Sequence, residues 1–206
     1  VCIASDEKNI TAITCGLSEF SIVGIPAEEY PEIPSITGET TIDLPHSMLK
    51  SMIRQTIFAV ADTDAKPIHT GTLFELGGGT LRLVSVDGYR LAIREEPVQA
   101  NEEASFVVPG KTLNEVTKLL SDSEEETLSL VVGRRHILFK IGNYTVISRL
   151  LEGEFLDYKA AIPAASSTEV LVNTRSFIES VERVSLLITD RLKSPVRCLF
   201  EDNEIK

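Results

Sequence analysis

Three short stretches decide the organisation of the chain: Ile42-Asp43-Leu44-Pro45, Phe106-Val107-Val108-Pro109 and Val170-Leu171-Val172-Asn173. Each stretch is rich in apolar residues, and each is followed at once by a run with helical periodicity. Their last residues, at positions 45, 109 and 173, are 64 residues apart in both intervals. The sequence therefore predicts a repeated unit in which a strand leads directly into a helix.

The three helical runs each have one apolar side. Apolar residues recur every three or four positions, as on an amphipathic helix with one buried face. They are Leu49, Met52, Ile53, Thr56, Ile57 and Val60 in the first run, Leu113, Val116 and Leu120 in the second, and Phe177, Val181, Val184 and Ile188 in the third. Proline at the first two helix starts is tolerated because a first-turn N–H has no partner within the helix.

Strand signals fill the intervals between the helices. Residues 72–76 and 80–86 alternate apolar and polar side chains around Gly77-Gly78-Gly79, as in a β-hairpin. Further strands are expected at 1–5, 10–14, 20–25, 89–93, 128–132, 137–141 and 144–150. The predicted fold class is therefore α+β, built from repeated units of one helix and several antiparallel strands.

Two connectors rich in Pro, Ser and Thr, at 34–41 and 163–169, separate these units. They predict a complete central domain at 42–163 that contains two units. Residues 1–38 then resemble the C-terminal part of a similar domain, and residues 168–206 resemble the N-terminal part of a third. A single irregular α+β domain is the alternative, but it leaves the 64-residue spacing unexplained.

Composition sets limits on the class of protein. The 206 residues are 43% hydrophobic and 25% charged, as in ordinary globular proteins. No apolar run approaches the roughly 18 residues that a membrane span needs, and no signal segment is evident, so we expect a cytoplasmic protein. Three separated cysteines, Cys2, Cys15 and Cys198, suit neither a disulfide framework nor a zinc site, and we expect free, buried thiols.

The net charge of −11 argues, taken alone, against a nucleic-acid partner. The acids are nevertheless concentrated in predicted loops, such as 122–126, whereas the helical run 45–61 has no acid and carries Lys50 and Arg54. A neutral-to-basic helical face within an acidic shell would suit loose contact with a polyanion. Solvation of the helix faces explains the positions of these cations equally well. The same holds for Arg191 and Lys193, which follow the third helix.

No catalytic constellation is evident. Gly77-Gly78-Gly79 is not followed by the Lys-Ser/Thr of a phosphate-binding loop, and His46, His69 and His136 lie in different elements without metal-ligand spacing. We therefore expect no metal and no cofactor. The turn at 84–92 could present Tyr89, Arg90 and Leu91 as a small pocket with a polar rim. Alternatively, Tyr89 and Leu91 point into the core.

Several motifs in one order resemble the bacterial DNA polymerase III beta subunit family, the DNA sliding clamps. Asp87-Gly88-Tyr89-Arg90-Leu91-Ala92 resembles the T-D-G-H/Y-R-L-A signature of the family, with Val86 in place of the threonine. The other matching segments are Gly71–Glu75 (G-x-L-F-E), Phe106–Lys111 (V-P-x-K), Leu151–Tyr158 (L-x-G-x-F-P-D-Y, with Leu156 for proline) and Ile25–Pro31 (L-P-A-x-x-F/Y-P).

The resemblance implies a DNA clamp fold, in which helices lie on one face of curved sheets. It also implies a non-catalytic processivity factor whose full-length chains form a homodimeric ring around duplex DNA, without sequence specificity. The implied partners are the catalytic subunit of DNA polymerase III, the clamp loader and other proteins with a clamp-binding motif. These clients dock a short peptide in a hydrophobic cleft.

The resemblance further assigns residues to these two surfaces. The peptide-binding cleft would contain His69, Val86, Gly88, Tyr89, Arg90, Leu91 and Pro163. The DNA-facing candidates are Lys50, Arg54, Lys66, Lys111, Lys118, Arg175 and Arg183. Since the family completes the cleft with its C-terminal end, we expect weak peptide binding by these 206 residues. One competing hypothesis is a peptide- or protein-binding scaffold that does not encircle DNA. The other is an enzyme, although no nucleophile, base or metal set supports it.

Overall fold

A computed structural model describes residues 1–32, 36, 40–63, 66–100, 102–188, 196–201 and 204–206. The chain divides into two compact units, Val1–Leu156 and Asp157–Lys206. Most of the predicted connector at 34–41 lies outside the described residues, as do Arg191 and Lys193. Among the helices of the described segments, none is long and apolar enough to cross a membrane.

The first unit opens with a three-stranded antiparallel sheet. Its strands are β1 (Cys2–Ser5), β2 (Ile10–Cys15) and β3 (Ser18–Val23), in the order β1-β2-β3. The sheet is largely exposed to solvent, with Ile3 and Phe20 more than half accessible. Cys2 and Cys15 on this sheet and Cys198 in the second unit are free and exposed. The prediction of buried thiols was therefore wrong, because solvent reaches the elements that carry them.

The central part of the first unit consists of two halves with the same order of elements. The first half contains β4 (Thr40–Pro45), α1 (His46–Arg54), β5 (Gly71–Gly77), β6 (Thr80–Val86) and β7 (Leu91–Pro97). The second half contains β8 (Ala104–Pro109), α2 (Gly110–Leu119), β9 (Thr127–Val132), β10 (His136–Ile141) and β11 (Tyr144–Arg149). Short 3-10 helices at Ile57–Ala59 and Pro67–Thr70 connect α1 to β5.

The first strand of each half joins the sheet of the other half. The two four-stranded sheets have the orders β7-β6-β5-β8 and β11-β10-β9-β4, and all their pairings are antiparallel. The sheets also meet at their edges, where the Leu151 N–H donates to the Val107 carbonyl oxygen at 2.9 Å. Because β4 and β8 each join the sheet of the other half, neither sheet is complete without a strand from that half.

Both sheets bury one face against the two helices. Alternate strand residues point to this face because successive side chains of a strand lie on opposite sides of the sheet. The core contains Leu49, Met52 and Ile53 of α1, Leu113 and Val116 of α2, and Ile42, Leu44, Phe74, Leu81, Leu83, Phe106, Val108, Leu128, Leu130, Ile137 and Phe139 of the strands. Phe74 and Phe106 stack with their ring centroids 5.4 Å apart.

The second unit contains α3 (Tyr158–Ala161), α4 (Thr174–Ser185), β12 (Phe200–Glu201) and β13 (Glu204–Ile205). The N-cap of α4 is Asn173, whose side-chain oxygen accepts the Ser176 N–H at 3.1 Å. An apolar groove of about 470 Å³ lies between α4 and the strands, lined by Phe177, Val184 and Ile205 among others.

The helices confirm the predicted spacing. The predicted helices α1, α2 and α4 begin at His46, Gly110 and Thr174, so that their starts are 64 residues apart. The first helix is shorter than its apolar pattern indicated: it ends at Arg54, and the Thr56 hydroxyl donates to the Met52 carbonyl oxygen. Pro45 and Pro109 are N-cap residues with extended backbone rather than first-turn residues. The α+β fold class with antiparallel sheets is confirmed.

Candidate functional site: a hairpin cleft and a basic helical face

The turn between β6 and β7 is held by one carboxylate. Asp87 Oδ1 accepts the backbone N–H groups of Tyr89 at 3.0 Å and Arg90 at 3.1 Å, and Oδ2 accepts from Arg90 Nε at 2.7 Å. Gly88 has φ of +89°, a backbone conformation that favours glycine. Tyr89 and Arg90 therefore lie in the turn, and not in the strand predicted at 89–93.

These hydrogen bonds stabilise the charged form of the carboxylate. The N–H of Tyr89, followed by the side chain and N–H of Arg90, lowers the pKa of Asp87 below its ordinary value. A lowered pKa means that the contribution of Asp87 to stability is present at neutral pH and is lost only in acid. The carboxylate of Asp87 therefore stabilises this turn at neutral pH.

The end of the hairpin places an apolar pair beside exposed side chains. Val86 and Leu91 face each other as the last pair of the hairpin, with Val86 buried and Leu91 half-buried. The Tyr89 side chain is 99% exposed, which excludes the alternative that it points into the core. An aromatic ring with this exposure can contact an incoming partner at little conformational cost.

Phe58 extends this surface, and the sequence reasoning missed it. The 3-10 helix Ile57–Ala59 contacts β6 and β7, and the Arg90 guanidinium carbon lies 5.8 Å from the centroid of the Phe58 ring. Phe58 is 56% exposed although it is a large apolar residue. The sequence did contain one indication of this: Phe58 is a large aromatic residue that does not fall on the apolar side of the first helical run.

His69 lies at the same end of the sheet as the turn. It belongs to the 3-10 helix that leads into β5. At this end of the sheet β5 is joined to β6 by a hydrogen bond of 2.9 Å between the hydroxyls of Thr72 and Ser85. The His69 ring packs edge-on against Phe155, with centroids 5.4 Å apart. Burial and the positive charge of Lys66 lower the pKa of His69, which favours the neutral imidazole. Pro163, the remaining residue of the predicted cleft, is exposed in the second unit.

The predicted DNA-facing cations differ in their availability. Lys50 is 9% exposed, and its ammonium binds Asp122 at 2.9 Å, which together with the charge of Arg54 lowers the pKa of Asp122. Lys118 pairs with Glu115 at 2.7 Å, Arg175 pairs with Glu179 at 3.1 Å, and Arg183 donates to the Ser180 hydroxyl. Arg54, Lys66 and Lys111 are exposed.

The side chains of the described residues include no group of three or more His, Cys, Asp or Glu that could hold a metal ion. The hairpin surface combines the apolar pair Val86 and Leu91, the exposed rings of Tyr89 and Phe58, and the Arg90 side chain held by Asp87. Such a surface fits a short peptide with bulky apolar side chains.

Comparison with known proteins identifies the family. The family described as DNA polymerase III beta subunit, central domain, matches residues 43–157, which is more than half of the chain. The beta sliding clamps of Bacillus subtilis and Halalkalibacterium halodurans are 37% and 40% identical over 91% and 86% of this chain. The chain spans about half the length of these curated relatives, 50% and 48% respectively.

Solved structures agree with this assignment. The crystal structure of the DNA polymerase sliding clamp from Bacillus subtilis matches with a TM-score of 0.85 and 36% identity, over 91% of this chain and 50% of that chain. The DNA polymerase III beta subunit from Thermotoga maritima matches with a TM-score of 0.79 and 32% identity, over 89% and 50%. The chain therefore belongs to the DNA polymerase III beta subunit family, the beta sliding clamps.

Proposed function

We propose that the chain is part of a ring that encircles duplex DNA, and that it tethers a replicative polymerase to the template without catalysing a reaction itself. The observation that carries this proposal is the repeat of one unit, a helix followed by antiparallel strands, whose helices begin at 46, 110 and 174. The chain that contains this repeat is a member of the sliding clamp family. The ring would be a homodimer of chains as long as the relatives.

The domain plan follows from the same repeat. Residues 42–163 would form the complete second domain of a clamp. Residues 1–38 would belong to the first domain and residues 168–206 to the third. The compact units divide the chain at Leu156, near the second of these boundaries, whereas the first boundary falls within the first unit.

The charge distribution supports a sliding contact with DNA. Arg54 and Lys111 are exposed cations of the two central helices, whereas Lys50 and Lys118 are each paired with a carboxylate. Exposed cations such as these attract the phosphate backbone, and contact with phosphates is independent of base sequence. Lys66 would add to this surface, and Arg175 and Arg183 are the candidate DNA contacts of the second unit. Weak contact is what movement along DNA requires.

The hairpin cleft is the proposed docking site for clients. Val86 and Leu91 would receive bulky apolar side chains of a client peptide, and Tyr89 and Arg90 would contact it from the rim. Gly88, His69 and Phe58 would complete the surface of the first unit, and Pro163, in the second unit, is the remaining residue that the family resemblance assigns to the cleft. The clients would be the catalytic subunit of the polymerase, the clamp loader and other proteins with a clamp-binding motif, all acting on DNA in the bacterial cytoplasm.

The test is a primer-extension assay with a hybrid clamp. In this hybrid, the 206 residues replace the matching segment of the Bacillus subtilis clamp, and that species supplies the polymerase and the loader. The proposal expects long products with the hybrid, and short products with a hybrid carrying Leu91→Ala and Arg90→Ala. The matched control carries Ile3→Ala and Phe20→Ala, two exposed apolar residues of the first sheet. Equal product lengths for both double variants would contradict the proposed cleft.

A further inference from the structure

The longest stretch of the chain without an acid, residues 127–151, forms the strands β9, β10 and β11. This stretch carries Arg134, Arg135, Lys140 and Arg149, whereas all 31 Asp and Glu residues of the chain lie elsewhere. The chain as a whole has a net charge of −11, so the charge is reversed locally in these three strands. They form a cationic region of an acidic protein.

The cations of the strands lie on the sheet face that points away from the helices. The odd-numbered residues of β10, at 137–141, are buried in the core. The alternate residues of this strand, His136, Leu138 and Lys140, therefore point to the opposite face. Arg149 of β11 pairs with His136 and shares this face with it. We refer to this side of the sheet β11-β10-β9-β4 as its outer face.

Three of the four cations are exposed and free to bind a partner. The Arg134, Lys140 and Arg149 side chains are exposed, and they form no ion pair or hydrogen bond with the part of the chain that the structure describes. Arg135 binds Glu152 at 3.6 Å, but both side chains are more than 60% exposed, so this ion pair is weak. The positive charge of the outer face is therefore not neutralised within the described structure.

An apolar pair lies between the cations. Leu138 of β10 pairs with Ile147 of β11, and both side chains are half-buried. Arg149, opposite His136, lies two residues before this pair along β10, and Lys140 lies two residues after it. Two residues of a strand span about 6–7 Å. The outer face thus presents a cation, an apolar pair and a second cation over about 13 Å.

The composition of the outer face favours a peptide over a nucleic acid. The outward residues of β9, β10 and β11, three strands that the structure describes completely, include no Phe, Tyr or Trp on which bases could stack. Asp43, on the neighbouring strand β4, lies two strands from Lys140 and would repel a continuous phosphate backbone. A peptide with separate acids avoids this repulsion and can fill the apolar centre between them.

We propose that the outer face binds an extended acidic peptide with the pattern acid-x-apolar-x-acid. Every second side chain of an extended chain points to the same side, at intervals of about 6–7 Å, which matches the spacing of the outer face. One carboxylate would bind Arg149, the other would bind Lys140, and the apolar side chain would pack on Leu138 and Ile147. The surface lies apart from the hairpin cleft of β6 and β7, and the inference does not rest on the proposed clamp function.

The test is a fluorescence anisotropy titration of the labelled, end-capped peptide Glu-Thr-Val-Thr-Glu with the 206-residue chain. One comparison peptide, Gln-Thr-Val-Thr-Gln, lacks the charges. The other, Glu-Glu-Thr-Thr-Val, keeps the composition but changes the order. The proposal expects saturable binding of the first peptide, weakened by added salt, and about fivefold weaker binding of each comparison peptide. The absence of saturable binding, or equal binding of either comparison peptide, would overturn the proposal.

Matched variants locate the site. Lys140→Gln and Arg149→Gln, both at exposed side chains, should each weaken binding of the first peptide about threefold, as expected for loss of an exposed ion pair. Lys8→Gln removes an exposed charge from the turn between β1 and β2, and it should leave the affinity unchanged. An equal effect of Lys8→Gln and Lys140→Gln would contradict a defined site. Tighter binding of oligothymidylate than of the peptide would overturn the assignment of the partner and identify a nucleic-acid surface.

Discussion

The close approach of β5 and β8 at Gly71 gives the sharpest test of the fold. Gly71 has extended backbone, with φ of −129°, which alanine also adopts, so a substitution there tests space alone. A Cβ at this position would lie 2.5 Å from the Val108 carbonyl oxygen, 2.8 Å from Leu151 Cδ1 and 2.9 Å from Val107 Cγ1. All three distances are far shorter than ordinary van der Waals contacts.

The neighbours of Gly71 cannot move aside without cost. Val108 pairs with Thr72 in the ladder between β5 and β8, and the Leu151 N–H bonds the Val107 carbonyl oxygen where the two sheets meet. Overpacking of a well-packed site costs about 1–3 kcal/mol, and the clash with backbone places Gly71→Ala near the upper end, about 3 kcal/mol. For a chain of this size the melting temperature should fall by about 6–12 °C.

Gly77→Ala, at the other end of β5, is the matched control. A Cβ there would have Glu103 Cγ as its nearest neighbour, at 3.9 Å, which is an ordinary contact. Loss of glycine flexibility in the unfolded chain should make this variant neutral or more stable by about 0.4–1 kcal/mol. Urea denaturation followed by far-UV circular dichroism compares the two. Unfolding free energies for Gly71→Ala and Gly77→Ala that agree within about 0.5 kcal/mol would refute the steric argument.

Three further predictions concern the cleft and the helical face. Asp87→Ala should lower stability at neutral pH, and the difference from the parent chain should vanish as the pH falls from the ordinary value of 3.8 through the lowered pKa of Asp87; denaturation curves across this range would show a constant difference if the carboxylate had no role. Phe58→Ala should weaken client-peptide binding by the hybrid clamp roughly tenfold without changing its melting temperature. Phe20→Ala, at another exposed phenylalanine, should change neither the peptide affinity nor the melting temperature. Arg54→Gln should shorten the lifetime of the loaded hybrid at raised salt, while Lys50→Gln, which removes a charge already paired with Asp122, should have the smaller effect; the reverse order in a salt titration would exclude Arg54 as the main DNA contact of α1.

The repeat was predictable because its signals are local. Apolar periodicity and a proline before each of the first two helices mark the strand-to-helix junctions, and Gly77-Gly78-Gly79 marks a hairpin. The exchange of first strands between halves was not predictable in this way. β4 pairs with β9, more than 80 residues away, and such a pairing is decided by the packing of both helices rather than by local sequence.

The candidate site was predictable to a similar extent. The turn at Asp87–Arg90 follows from its residue types, because an aspartate before glycine bonds the backbone ahead of it. The burial of Lys50 could not be predicted, since it depends on Asp122, which lies beyond the next helix along the chain. Phe58 was missed for the same reason, because it contacts Arg90, a residue distant in sequence.

The most direct test of the central claim measures how the hybrid clamp is held on DNA. The hybrid is loaded onto nicked circular DNA by the Bacillus subtilis loader, the DNA is then linearised, and the bound clamp is counted before and after the cut. A ring predicts retention on the circle and loss from the free ends after linearisation, as for the parent Bacillus subtilis clamp measured alongside. Equal retention on both forms would mean ordinary contact binding, and it would favour a scaffold that does not encircle DNA.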